Sequence, residues 1–167
     1  MRPRCWIDER ALAQLVRERR RFTLRETGGA LLGWRDGNDA VVAFVLGPGP
    51  KAQHRLSSFE PDGPWQAYQG TRIYEATDRL VAYIGDWHSH PRGGLRPSGQ
   101  DRVAAQQIAS DPDFRAPRPL SAIAGRTSRF GCRLAVYSWI KDEFKALDVL
   151  SCRLDPTLFT RAGEAIR

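Results

Sequence analysis

The chain has 167 residues, 41% of them hydrophobic and 27% charged, the balance of one soluble globular domain able to bury its own core. No apolar run approaches the roughly 20 residues that span a bilayer, and the opening MRPRCWIDERA lacks the apolar core of a signal peptide, so membrane and secreted classes are not expected. The net charge of +7 is mostly arginine, because Lys51, Lys141 and Lys145 are the only lysines. It fits either an arginine-rich coding bias or an electropositive face for an anionic partner. Nucleic-acid binding is not the expected role, since no basic motif with interleaved aromatics accompanies the charge. Cys5, Cys132 and Cys152 are widely spaced and odd in number, which predicts reduced thiols in a cytoplasmic protein.

Asp8 is placed to cap a helix from about Glu9 to Phe22, with Leu12, Leu15, Val16 and Arg19 on successive turns. The arginine-rich run Arg17 to Arg21 falls at its end, where cations suit the helix dipole and are easily solvated. Glu26 to Trp34 reads as a strand, Asp36 to Asp39 as a tight turn, and Ala40 to Gly47 as the returning strand of a hairpin. Glycines and prolines make Gly47 to His54 a loop, and His54 a loop residue without chemistry. Pro64 to Asp78 has helical spacing in Trp65, Tyr68, Ile73 and Tyr74, weakened by Gly70.

Arg79 to His90 is a predicted strand ending on two histidines, followed by a loop through Pro97 and a helix from Ser98 to Ser110. Three strands follow, Pro119 to Gly125, Gly131 to Ile140 and Phe144 to Leu154, the last two joined by the polar Lys141 to Glu143. Asp155 to Arg167 forms a short helix or frays. Helices among the early strands and a closing run of three predict a mixed β-sheet flanked by helices. That is an α/β or α+β class, as one domain over 1–167.

Residues i and i+2 of a strand share a face, so His88 and His90 present two imidazoles to one point while Ser89 turns away. The loop RGGLRP can return the next helical turn, with Asp101, over the strand end. Two nitrogens and one carboxylate leave a fourth position open, which is the catalytic form of a zinc site. Ser98 and Asp101 also match a capping box. If Asp101 is directed at a metal, it is expected not to close that box. Trp87 is expected in the core, Asp86 as a candidate to orient a metal-bound imidazole, and Arg92 as a solvated loop charge.

H-x-H, seven residues, then S-x-x-D resembles the JAMM motif of the JAB/MPN/Mov34 metalloprotease family, His90 to Ser98 enclosing the seven. ETGGALLG, beginning at Glu26, resembles that family's upstream glutamate element. GPGP, then Phe59 to Asp62 and Trp65-Gln66, resembles a bacterial branch of mobile elements and defence islands. The likeness runs from about Glu26 to Leu150. It implies a deaminase-like three-layer fold and one zinc ion held by His88, His90 and Asp101. It also implies isopeptidase or peptidase activity at the C-terminal end of a ubiquitin-like modifier.

By the same likeness Glu26 is general base then general acid, and Ser98 an oxyanion donor. Read locally, Glu26 is equally a surface carboxylate at a strand start. Gly28 and Gly29 leave room for a substrate tail to approach the backbone. Arg96 is either a solvated charge or a holder of the substrate's acidic or C-terminal segment. The implied partners are a ubiquitin-like protein or its conjugates, together with E1/E2-like ligation enzymes. Other classes are a peptidase maturing a sulfur-carrier-type precursor, a non-catalytic MPN scaffold, and a two-histidine-one-carboxylate iron oxygenase. The oxygenase leaves Ser98 and Glu26 unexplained.

Overall fold

The structure is a computed structural model and describes residues 2–128 and 131–166. The first element is a strand absent from the sequence-based reading, β1 (Arg4–Asp8), whose Cys5 and Ile7 point into the core. Five residues abutting a helix carry too little alternation to announce a strand. Asp8 ends it and starts α1 (Glu9–Arg21), its Oδ1 accepting the Arg10 N–H at 2.8 Å. Its Oδ2 accepts the Leu154 N–H at 2.9 Å and so ties the start of the described chain to its far end.

Strands β2 (Gly28–Asp36) and β3 (Asp39–Val45) form the expected hairpin, with Gly37 at φ 59° in the turn. Part of the expected loop is instead a two-stranded ribbon of β4 (Gln53–His54) and β5 (Phe59–Glu60). Then come α2 (Gly63–Ala76), β6 (Ala82–Ser89), α3 (Gly99–Ser110), β7 (Leu120–Ser128), β8 (Gly131–Ile140), β9 (Glu143–Cys152) and α4 (Pro156–Ile166). The expected terminal helix therefore forms, and Arg167 lies outside the described residues.

The sheet is mixed, in the order β1-β3-β2-β6-β7-β8-β9, and it curls until β1 pairs in parallel with both β3 and β9. Helices pack on both faces. On one, Ala11 and Leu15 of α1 meet Cys5, Ile7, Val42 and Trp87; on the other, Ile73 of α2 and Ala162 of α4 meet Leu32, Ala43 and Leu46. This explains why β2 reads as a continuous apolar run: Leu31 serves one core while Ala30 and Leu32 serve the other. Each fully buried aliphatic side chain contributes about 1.5–3 kcal/mol relative to exposure.

One cation in the arginine run is not solvated. Arg19 is buried, its Nε donating to the Gly125 carbonyl at 3.2 Å and its Nη1 to the Phe22 carbonyl at 2.7 Å. The last carbonyls of a helix lack intrahelical donors, and a guanidinium supplies several at once. Arg19 thereby joins the end of α1 to β7.

Two features aim β6 at the site. The β2–β6 register slips between Leu31 and Leu32, leaving Ile84 as an extra residue, and such bulges bend a strand and re-aim the residues beyond them. Gly85 adopts φ 148°, and a Cβ there would lie 2.2 Å from the Leu120 carbonyl oxygen, so only glycine lets β6 run this close to β7. His88 and His90 stand just past this bend.

Candidate metal centre

His88 lies near the end of β6, and His90 follows it at the edge of the sheet, its N–H donating to the Ala124 carbonyl of β7 at 3.0 Å. The two Nε2 atoms face each other at 3.0 Å. Asp101, in the first turn of α3, brings Oδ1 to 3.1 Å from His88 Nε2 and Oδ2 to 3.8 Å from His90 Nε2. Ligand atoms of all three residues lie within 4.8 Å of one another.

The His90 Nδ1 stands 3.0 Å from the Gly94 carbonyl oxygen. A carbonyl only accepts, so Nδ1 carries the proton and Nε2 keeps its lone pair directed inward. That is the arrangement of a metal-ligating imidazole with an outer partner. Tetrahedral zinc at about 2.0–2.1 Å from each donor separates ligand atoms by roughly 3.3 Å. The three observed separations bracket that value. The donor set, two imidazole nitrogens and a carboxylate without a thiolate, fits a zinc ion.

Ser98 caps α3, and the capping box is closed in both directions: Ser98 Oγ accepts the Asp101 N–H at 3.2 Å, and Asp101 Oδ2 accepts the Ser98 N–H. This corrects the expectation that Asp101 serves either the metal or the cap. A carboxylate has two oxygens, and here Oδ2 takes the cap while Oδ1 faces His88. Burial alone would raise the Asp101 carboxyl, but the hydrogen bond and charge of His88, with Ser98, hold it well below the usual range.

Glu26 lies two residues before β2, and with His88 and Asp101 it lines a cavity of about 270 Å³. Burial raises its pKa, Asp101 adds to the rise, and the imidazoles of His90 and His88 pull it back. Its main chain is fixed by the ribbon: the Glu26 N–H donates to Arg55 O at 2.9 Å, and His54 Nδ1 lies 3.0 Å from Glu26 O. His54 is therefore not an idle loop residue. Ser89 does turn away from the ligands, as expected, and is used on the other face. Its Oγ accepts the Thr27 N–H at 3.0 Å, and its own N–H donates to Thr27 O at 2.7 Å.

Other sequence-derived roles shift. A Cβ at Gly28 would lie 2.3 Å from Trp87 O, and one at Gly29 would lie 2.0 Å from Leu46 O. The close backbone approach these glycines permit is made by the chain's own segments, and Gly29 also lines the cavity beside Glu26. Arg96 is exposed and lines neither the cavity at Glu26 nor the larger one beside it, and Arg92 is exposed as expected. Asp86 accepts from the Tyr83 hydroxyl at 2.9 Å rather than from an imidazole, and burial pushes its carboxyl up to about 6. Trp87 is 1% exposed and donates Nε1–H to Leu46 O, a core residue as expected.

That larger cavity, of about 1040 Å³, adjoins the first. Pro61, Gln66, Asp86 and Ile108 line both, so one cleft leads from the ligands to Tyr74, Tyr83 and Phe114. The sequence alone did not suggest this cleft, because its walls come from α2, β6 and the turn after α3.

The family model for prokaryotic homologs of the JAB domain matches residues 8–139. The chain belongs to this family. A protein of Sinorhizobium fredii called "Probable metalloprotease y4qB" is 37% identical over 117 residues, covering 69% of this chain and 71% of that one. A "CD-NTase/cGAS isopeptidase" of Enterobacter hormaechei is 27% identical over 124 residues, covering 71% of this chain and 66% of the relative. One of the same name from Vibrio cholerae is 31% identical over 90 residues, covering 52% and 56%. These names indicate metalloprotease and isopeptidase activity in the JAB family.

The fold is also that of the solution structure of protein DSY2949 from Desulfitobacterium hafniense, with TM-score 0.68 and 19% identity over 90% of this chain and 94% of that one. Among the described residues, no helix is long and apolar enough to cross a membrane.

Proposed function

We propose that this JAB domain is a zinc-dependent isopeptidase that cleaves the amide between the C-terminal residue of a ubiquitin-like modifier and a target amine. One observation carries the reading: His88 Nε2, His90 Nε2 and the Asp101 carboxylate converge on one point, and His88 and Asp101 share a cavity with Glu26. Bound zinc would supply water with a pKa lowered to about 7 and a polarised scissile carbonyl.

The chain's own groups do the rest. The Glu26 carboxylate takes a proton from the attacking water and delivers it to the departing amine nitrogen. Burial raises its pKa from the ordinary carboxylate value, the direction that favours its returning the proton to the amine. The Ser98 hydroxyl, held at the helix start by the Asp101 N–H, donates toward the developing carbonyl oxyanion. The modifier's extended tail lies in the cleft between α2 and α3, its side chains against Tyr74, Tyr83 and Phe114. The relatives named CD-NTase/cGAS isopeptidase support a CD-NTase-type protein as the target. E1/E2-like ligation enzymes are then the natural counterpart, since a deconjugating enzyme needs something that conjugates.

The test is Glu26→Gln expressed in the native host beside the wild type. The variant should retain zinc, lose about 10²–10⁴-fold in turnover, and co-purify with an uncleaved modifier–target conjugate that the wild type does not hold. Capture of linear precursors instead would favour a maturation peptidase. Identical co-purification with both forms, or no bound metal in either, would leave a scaffold.

A further inference from the structure

Glu26 has no place in the main sheet, yet its carboxylate must meet a water and a leaving amine at one point. All four main-chain polar groups of Glu26 and Thr27 are nevertheless engaged. Ser89, between the two histidines, holds both groups of Thr27. Arg55 O accepts the Glu26 N–H, and the remaining group, Glu26 C=O, faces His54 Nδ1 at 3.0 Å. A carbonyl only accepts, so Nδ1–H is the donor. Of these partners, His54 is packed against two aromatic rings from other segments.

That packing is specific. The imidazole stacks on Phe22 with ring centroids 3.7 Å apart and planes 13° from parallel, and Phe59 leans on it at 5.4 Å. Phe22 is fixed in turn, because the buried Arg19 donates to its carbonyl while bonding Gly125 of β7. Phe59 also lines the cavity that holds Glu26 and His88. The rings thus set the rotation of the imidazole, and the imidazole sets the peptide plane after Glu26.

We propose that His54 is a positioning residue for the Glu26 carboxylate. Clamped between Phe22 and Phe59, it carries the rigidity of α1 and the ribbon into the proton-transferring group. The proposal rests on Glu26 being that group. A reacting group displaced by about 1 Å loses roughly 10²-fold in rate, so loss of the mount should be visible in turnover.

Two variants separate the ring from the donor. His54→Phe keeps an aromatic for the stack and removes the N–H, whereas His54→Asn removes the ring and keeps an N–H near the place of Nδ1. On the conjugate captured by Glu26→Gln, His54→Phe should lower kcat by roughly 10- to 100-fold, with KM and zinc content unchanged within about twofold. His54→Asn should recover only part of the loss, because it restores the donor without the ring stack that orients it. Amide hydrogen exchange, which needs no turnover, should speed up at Thr27, whose N–H shares a peptide plane with the Glu26 carbonyl, in His54→Phe while Trp87 in the core is unaffected.

Unchanged kcat, or a loss matched by lost zinc or lost folded protein, would overturn the proposal. So would unchanged exchange at Thr27. If Glu26→Gln itself turned over like the wild type, the proposed function would have failed, and the exchange result would still decide whether His54 holds the segment.

Discussion

The histidine side of the centre and the glutamate side are assembled from different kinds of information. His88, His90, Ser98 and Asp101 sit on one strand end, one short loop and one helix start, and their relative placement comes from strand alternation and a capping box. Glu26 reaches the same cavity from before β2, held by a two-stranded ribbon, by Ser89 and by an imidazole wedged between rings of two other segments. The first side is local chemistry that happens to be placed in a fold. The second exists only once distant segments have met. Changes on the first side should therefore remove a ligand or a cap outright, and changes on the second should loosen a geometry.

Asp101→Ala is expected to have the largest effect, since one residue serves both the ligand set and the helix cap. Bound zinc should fall from about one per chain to background by elemental analysis. Urea unfolding should show about 1–2 kcal/mol of lost stability from the broken box. Retention of full zinc would undo the contrast between the two sides, because the local motif would then not be the metal site.

Ser98→Ala comes next. Turnover should fall roughly 10²–10³-fold with zinc retained, and stability should fall by about 1 kcal/mol. A turnover loss no larger than the loss of folded protein would reduce Ser98 to a cap.

The weakest response is expected in the cleft. A Cβ at Gly70 of α2 would meet only Leu32 Cδ2, at 3.8 Å, so Gly70→Leu extends into the cleft without a backbone clash. KM for a conjugate should rise roughly tenfold, the scale of about 1.4 kcal/mol, with zinc unchanged. Thermal stability should hold or improve, because glycine costs about 1 kcal/mol in a helix interior. An unchanged KM would place the substrate tail elsewhere.

Several errors of sequence-based reading have a common cause. Arg19 stands in a run of arginines that looks solvated, and its burial arises only because β7 passes the end of α1. His54 has no local partner that would flag it, since Phe22, Glu26 and Phe59 come to it from other segments. The choice imposed on Asp101, ligand or cap, counted residues where it needed to count oxygens. Strand β1 escaped because its support, parallel pairing on both sides, is wholly nonlocal.

Local sequence is sufficient for the helix starts at Asp8 and Ser98, the hairpin turn at Gly37, and the shared face of His88 and His90. Each depends on backbone periodicity and on hydrogen bonds within a few residues. Long-range packing is needed for the closure of the sheet through β1, the burial of Arg19, the course of the cleft and the main-chain bonds that bring Glu26 to the cavity of His88 and Asp101. Those features arise from contacts between segments far apart in the chain. Such contacts form where packing and unpaired polar groups leave no alternative, and a linear pattern carries no record of which segments will meet.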